Sequence, residues 1–343
     1  MKIIVPILEE QWIVAGQRHA SRPVDADALY ITPLLSAAGL TSGGMKLIHS
    51  LVLDTNVLMD LVQERRPDAN AYLIDLLRTH PIELNPAYAM MEQRQQYGGA
   101  AEVLPAFAEF ARRNFGWGAA AIGAQTFEAA LAQSKPELKQ NMELLSGYVS
   151  AIVFLYHQKA SAAEKLDWLS GLIRSADLPH LPVQFFYAAI AFLSAERPDL
   201  FDKRELKKIR KDLALGKTLD DQRHSLLNIA NDLALPTASL FQTAGEGTFI
   251  FPYIATRDVL QQVLLSEIVC GRVEIMETGR PLPAWGTRPG RRLATHLGPV
   301  IDALMPARSG PSTREDVGVR RERLRAFSET YLQRCMDLPR APK

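Results

Sequence analysis

An α/β fold built on a parallel sheet and interrupted by a large helical stretch is predicted by three features of the chain. Leu47-Ile48-His49-Ser50-Leu51-Val52-Leu53 is a short, mostly apolar run that ends in the polar turn Asp54-Thr55-Asn56 and passes into an apolar helix start over residues 57–62. Strand-then-helix patterns recur at residues 82–96 and 249–269. Between these, from about 101 to 216, the sequence reads as helices and little else. Short strands buried on both faces and alternating with helices belong to a parallel sheet.

Residues 1–45 form an N-terminal extension with a strand at its start and a loop at Thr41-Ser42-Gly43-Gly44. After the first strand and helix, residues 67–79 read as a helix with Tyr72, Leu73, Leu76 and Leu77 on one face. Ile82-Glu83-Leu84-Asn85-Pro86 is a short strand, and residues 88–96 a helix that Gly98-Gly99 would end. In the helical stretch, Ser134-Lys135-Pro136-Glu137 and Ser161-Ala162-Ala163-Glu164 have the spacing of capping boxes. The apolar runs around Phe185 and around Phe154 are core. Residues 220–235 then read as a helix, 249–255 as a strand and 259–269 as a helix, so one α/β domain spans 46–277 with the helical stretch inserted in it. Beyond it, 279–283 and 287–292 read as linker, followed by a helix opened by Ser312-Thr313-Arg314-Glu315 and carrying Val317, Leu324, Phe327 and Tyr331 at helical spacing. Residues 278–343 hold an excess of seven cations, with Arg320, Arg321, Arg323 and Arg325 on that helix. The helix packs on the body through its apolar face, and its arginines are a second candidate site for RNA phosphates.

The bulk numbers narrow the function. The chain has 343 residues and a net charge of +1, so no global field attracts nucleic acid and any such binding rests on local patches. Cys270 and Cys335 are too few for a disulfide framework and suit a reducing, cytoplasmic setting. No secretory signal is present, and the longest apolar stretch, 183–195, falls short of the roughly 20 residues of a membrane span. The seven histidines show no paired ligand spacing, which argues against a zinc site.

Asp54, at the carboxyl end of a buried strand, lies where open α/β sheets place their ligands, and a carboxylate there needs a neutralising partner. A divalent cation is one such partner. Val52-Leu53-Asp54-Thr55-Asn56-Val57-Leu58 resembles the opening motif of the PIN-domain nucleases. The resemblance covers roughly residues 47–96 and 220–270 and implies a PIN-like three-layer fold with a parallel sheet. It also implies four acidic ligands for Mg²⁺ or Mn²⁺, which by order and context fall on Asp54, Glu92, Asp232 and Asp258. Asp220 or Asp221 is an alternative for the third, and Asn228 lies one turn before Asp232. Thr55, Asn56, Thr256 and Arg257 would support the site or the substrate, although turn hydrogen bonds serve equally for the two threonines, and Arg257 alternates with Asp258 in direction. Asp60 falls in the helix after Asp54, where it could border the site, although a surface role is favoured. As helix caps, Asp54 and Asp258 would have an ordinary structural role.

The expected function is therefore an endoribonuclease that hydrolyses phosphodiesters with a water activated on the cation. Asn56 argues against a phosphoaspartyl phosphatase, which needs a second aspartate two residues after the first as general acid. Two rivals remain open: a catalytically incomplete PIN-like protein that binds RNA or assembles, and a toxin or defence nuclease restrained by an inhibitory protein partner. The helical insertion would be a lid, a substrate platform or a homodimer interface.

Overall fold

The computed structural model describes residues 2–4, 11–14, 17–20, 29–34, 46–80, 82–97, 100–116, 142–241, 244–245, 248–275, 281–305 and 317–339. The expectations for Thr41–Gly44, Gly98-Gly99, Ser134–Glu137 and Ser312–Glu315 lie outside them. The chain is of mixed α/β class with parallel strands, and it divides into two units. One comprises Met1–Ser134, Leu235–Leu265 and Val269–Gly286; the other comprises Lys135–Ala234, Ser266–Ile268 and Thr287–Lys343.

Among the described residues the first unit holds three sheets. Strands β1 (Lys2–Ile4), β9 (Ile268–Ile275) and β10 (Pro281–Thr287) form one in the order β1-β9-β10, and β2 (Gln11–Val14) with β3 (Gln17–Ala20) forms a second. The principal sheet contains β4 (Tyr30–Pro33), β5 (Lys46–Leu53), β6 (Ile82–Asn85), β7 (Ala244–Gly245) and β8 (Thr248–Thr256). Its order is β4-β8-β5-β6, with β7 pairing β8. Strand β5 runs parallel to both neighbours, His49 opposite Ile82 on one side and Phe251 on the other. Leu51, Val52 and Leu53 are consecutive and all buried, as a strand covered on both faces requires. Helices α1 (Thr55–Val62) and α2 (Pro67–Thr79) lead from β5 to β6, and α3 (Ala87–Tyr97) and α4 (Ala100–Phe115) follow β6. The chain thus leaves β5 toward β6 on one side and later returns to β8 on the other. The carboxyl ends of β5 and β8 flank the point where strand order reverses, the place where α/β sheets form their clefts.

Three expectations change. Residues 30–33, read as part of an extension, supply β4, paired antiparallel with β8 from Tyr30–Thr256 to Pro33–Tyr253. The helix expected to reach Val269 is α10 (Val259–Glu267), and the β-branched residues Ile268, Val269, Val273 and Ile275 continue as β9 instead. Residues 281–283, read as linker for their prolines, open β10, an edge strand in which missing N–H donors are tolerated.

The second unit is helical: α5 (142–156), α6 (Ala162–Ser175), α7 (Pro182–Glu196), α8 (Lys203–Asp212), most of α9 (Leu219–Phe241), α11 (Arg292–Leu304) and α12 (Val317–Asp337). The expected capping box at Ser161 and Glu164 is present, and Asp202 with Glu205 forms another at the start of α8. Helix α7 is apolar on all sides and buried from Val183 to Ser194, so it is the core of this unit. The C-terminal helix joins the same unit. Phe154 of α5 meets Tyr331 edge-on at 5.7 Å, and Cys335 Sγ donates to the Ser150 carbonyl at 3.4 Å.

At the turn between α8 and α9, Gly216 N–H donates to Gln222 Oε1 at 2.6 Å, and a Cβ on Gly216 would lie 2.6 Å from the Gln222 backbone nitrogen. Gly216→Ala is expected to destabilise by about 2 kcal/mol. The urea midpoint would fall with an unchanged m-value, and an unchanged midpoint would contradict the close approach.

Candidate functional site

The carboxyl ends of β5 and β8 lie side by side, because the ladder between them runs to Leu53 opposite Ala255. It continues one step further: Asp54 N–H donates to the Ala255 carbonyl at 2.9 Å. Asp54 is buried, 5% exposed, at the N-cap position of α1, yet its side chain makes no capping bond. Its Oδ2 accepts instead from the hydroxyl of the fully buried Thr256 at 2.8 Å. The same hydroxyl accepts from the N–H of Asp258 at 2.9 Å. One side chain thereby joins the end of β5 to the turn after β8.

The other acids are held by their own partners. Asp258 Oδ1 accepts from the N–H groups of Leu260 at 2.7 Å and Gln261 at 3.2 Å, which caps α10. Glu92, on α3, accepts at Oε2 from the hydroxyl of Thr55, the residue next to Asp54. Burial pushes the Asp54 carboxyl up to about 7, with the charges of Asp258 and then Glu92 adding to the rise. The Thr256 hydroxyl and the Thr55 N–H oppose it without cancelling it.

Glu92 and Asp258 thus stand close enough in the first unit for their charges to act on Asp54, and Thr55 and Thr256 bond to these acids. Asn56 is exposed in the first turn of α1. Asp232 is half-buried on the stretch of α9 that belongs to the second unit. Its alternatives lie in that unit too. Asp220 is exposed, 3.8 Å from Arg223, and Asp221 closes a reciprocal pair of hydrogen bonds with Thr218 at the start of α9.

Asp60 corrects the surface assignment. It is nearly buried and pairs with Arg257, its Oδ2 lying 2.9 Å from Arg257 Nε. Arg257 Nη2 donates to Asn70 Oδ1 at 2.7 Å, and Asn70 Nδ2 donates to the Arg65 carbonyl at 3.0 Å. Arg257 therefore points from the β8–α10 turn onto α1 and α2. A charged residue among the buried Val57, Leu58 and Leu61 was the sequence signal that Asp60 has a partner.

The donor set consists of carboxylate and hydroxyl oxygens, the hard donors that suit Mg²⁺ or Mn²⁺, and the buried Asp54 carboxylate is under-compensated. These residues fit such an ion on chemistry and charge. Among the described residues no three His, Cys, Asp or Glu side chains converge closely enough to hold one unaided, so water and phosphate oxygens would fill the remaining positions. Compared with known proteins, the chain matches no family model, no curated protein and no solved structure.

Two outcomes follow from this geometry. The folded carboxyl of Asp54 titrates near 7 against an ordinary 3.8. Between those values the unfolded chain has lost a proton that the folded chain keeps, so stability falls as pH rises through that window and levels off above it. The loss is on the order of 4 kcal/mol. In metal-free buffer, thermal melts from pH 4 to 8 should show this decline in the wild type and a much weaker one in Asp54→Asn; parallel curves would contradict it. Asp60→Ala, which removes the carboxylate 2.9 Å from the buried Arg257 guanidinium, is expected to cost about 3 kcal/mol. Denaturant unfolding checks this, and a loss below 1 kcal/mol would mean that the pair is dispensable.

Proposed function

We propose that the protein is a metal-dependent nuclease with a PIN-like domain, hydrolysing phosphodiester bonds in RNA. The observation that carries the reading is the buried Asp54 carboxylate at the end of β5, raised to about 7 by burial and by the charges of Asp258 and Glu92. Such an arrangement costs stability on its own and is relieved by a divalent cation. Asp54, Asp258 and Glu92 would hold the ion; Asp232, which the PIN resemblance implies as a fourth ligand, belongs to the second unit. When bound, the ion would supply a water of lowered pKa and a counter-charge for the phosphodiester.

The protein's own residues do the rest. Thr256 fixes the orientation of the Asp54 carboxylate, and Thr55 does the same for Glu92. The Asp60–Arg257 pair ties the β8–α10 turn to α1 and so sets the spacing between Asp54 and Asp258. Asn56, exposed in the first turn of α1, would donate to a phosphate oxygen.

One observation favours the rival reading, a PIN-like scaffold that binds RNA without cutting it. Asp258 Oδ1 is engaged in capping α10. A single experiment separates the two. With a labelled RNA oligonucleotide and millimolar Mn²⁺, the nuclease reading expects cleavage by the wild type and a loss of more than ~100-fold in Asp54→Asn. It also expects Mn²⁺ to raise the melting temperature of the wild type and not of the variant. RNA bound but left intact, with a melting temperature indifferent to Mn²⁺, supports the rival.

A further inference from the structure

Helix α8 reads Lys-Arg-Glu-Leu-Lys-Lys-Ile-Arg-Lys-Asp over residues 203–212. Ile209 is fully buried and Leu206 half-buried, which fixes the inward face. At 3.6 residues per turn the cations then fall in two adjacent rows on the outward face. Lys203, Lys207 and Arg210 form one row, and Arg204, Lys208 and Lys211 the other. All but Lys208 are exposed.

The acids of this segment do not neutralise that face. Glu205 is drawn to Arg292, whose Nη1 lies 2.7 Å from Glu205 Oε2, and it also accepts from the Asp202 N–H. Asp212 pairs with Lys208 at 3.2 Å. Asp202 is occupied in capping the helix. Five exposed cations are left.

Helix stability accounts for only two of them, Arg210 and Lys211 in the last turn, where cations suit the helix dipole. Cations in the first turn oppose the helix dipole, and Lys203 and Arg204 stand there. Like charges three or four residues apart repel, and 203–207, 204–208 and 207–211 are such pairs. The first-turn cations and the like-charge pairs work against the helix that carries them, and a row of negative charges laid along it would remove that cost.

We infer that the outward face of α8 binds the phosphate backbone of a polynucleotide strand, making the helical unit a substrate-holding surface. The choice of polyanion rests on the nuclease reading of the first unit. The face itself offers charge without apolar side chains, because Leu206 and Ile209 turn inward. A helix that lies in a lipid surface presents an apolar face to it, so a membrane is disfavoured. The arginine-rich C-terminal helix is the weaker candidate: Arg323 pairs with Asp177 at 3.0 Å, Arg325 with Glu143 at 3.6 Å, and Arg334 stacks 5.0 Å from the Tyr331 ring.

The test uses the full chain carrying Asp54→Asn, so that the probe survives, and a fluorescein-labelled 20-mer of oligouridine read by anisotropy across a salt series. Adding K203Q/K207Q/R210Q is expected to weaken binding at least tenfold at 0.1 M salt. The slope of log K against log salt should fall by about 2, since each phosphate contact to a single strand contributes roughly 0.7. Its melting temperature should stay close to that of the parent, because the repulsion relieved at 203 and 207 offsets the last-turn charge lost at 210. Unchanged affinity and slope would overturn the inference. So would binding by the α8 cations to vesicles of anionic phospholipid in place of the oligonucleotide. If wild-type protein with Mn²⁺ leaves the oligonucleotide uncut while the triple variant still loses binding, the nuclease reading fails and the α8 surface stands.

Discussion

The first unit is organised around a carboxylate that its own sheet forces into the interior. Asp54 follows three consecutive buried residues, Leu51–Leu53, in a strand flanked on both sides by parallel partners. Its backbone is still part of the ladder, through the bond to Ala255. It cannot swing out to water without breaking the end of the sheet. Two hydrogen bonds offset part of the desolvation, while Asp258 and Glu92 make ionisation harder. A fold under selection for stability alone would place an uncharged residue here, because a buried polar side chain of similar size avoids the penalty. The unrelieved charge is the physical reason for treating the cluster as a site.

Thr256 explains how the cluster is held at fixed geometry. Its hydroxyl donates to Asp54 and accepts from the Asp258 N–H, so one oxygen couples the ends of two strands. The Asp60–Arg257 pair does the same from the other side of the turn, with Asn70 as a third member. These ties link α1, α2 and the start of α10 to one another. The carboxylates are thereby positioned by rigid elements and by partners that are themselves packed, the condition under which charged groups keep a functional spacing.

What could be read from the sequence depended on how local the signal was. The strand ending at Asp54 and the strand ending before Asp258 were legible because each is a short apolar run cut off by an acid. Glu92 was legible only through its place in an order of motifs, since a glutamate on a helix has no local signature. Asp60 was misjudged because its partner, Arg257, is 197 positions away in the sequence. Strands β4 and β10 were missed for related reasons. Tyr30–Pro33 is too short to show a period, and the prolines of Pro281–Thr287 read as linker until its edge position in the sheet is known. The helical stretch was recognised from its periodicity. That it forms one unit with the C-terminal helices depends on contacts such as Phe154 with Tyr331, which no local pattern encodes.

The capping role of Asp258 and a role in cation binding are compatible on chemical grounds. A carboxylate has about four lone-pair directions, and a cap that uses one oxygen leaves it negatively charged. Capping bonds from Leu260 and Gln261 also aim the carboxylate, because they fix the torsion that would otherwise let it rotate. Neutral N–H donors lower the cost of the charge without supplying a counter-charge. The turn after β8 therefore does for Asp258 what the Thr256 hydroxyl does for Asp54: it orients the carboxyl group. Glu92 is treated alike by the Thr55 hydroxyl. Burial and two nearby acids thus leave Asp54 the costliest of the three to ionise, and either a retained proton or a bound cation lowers that cost.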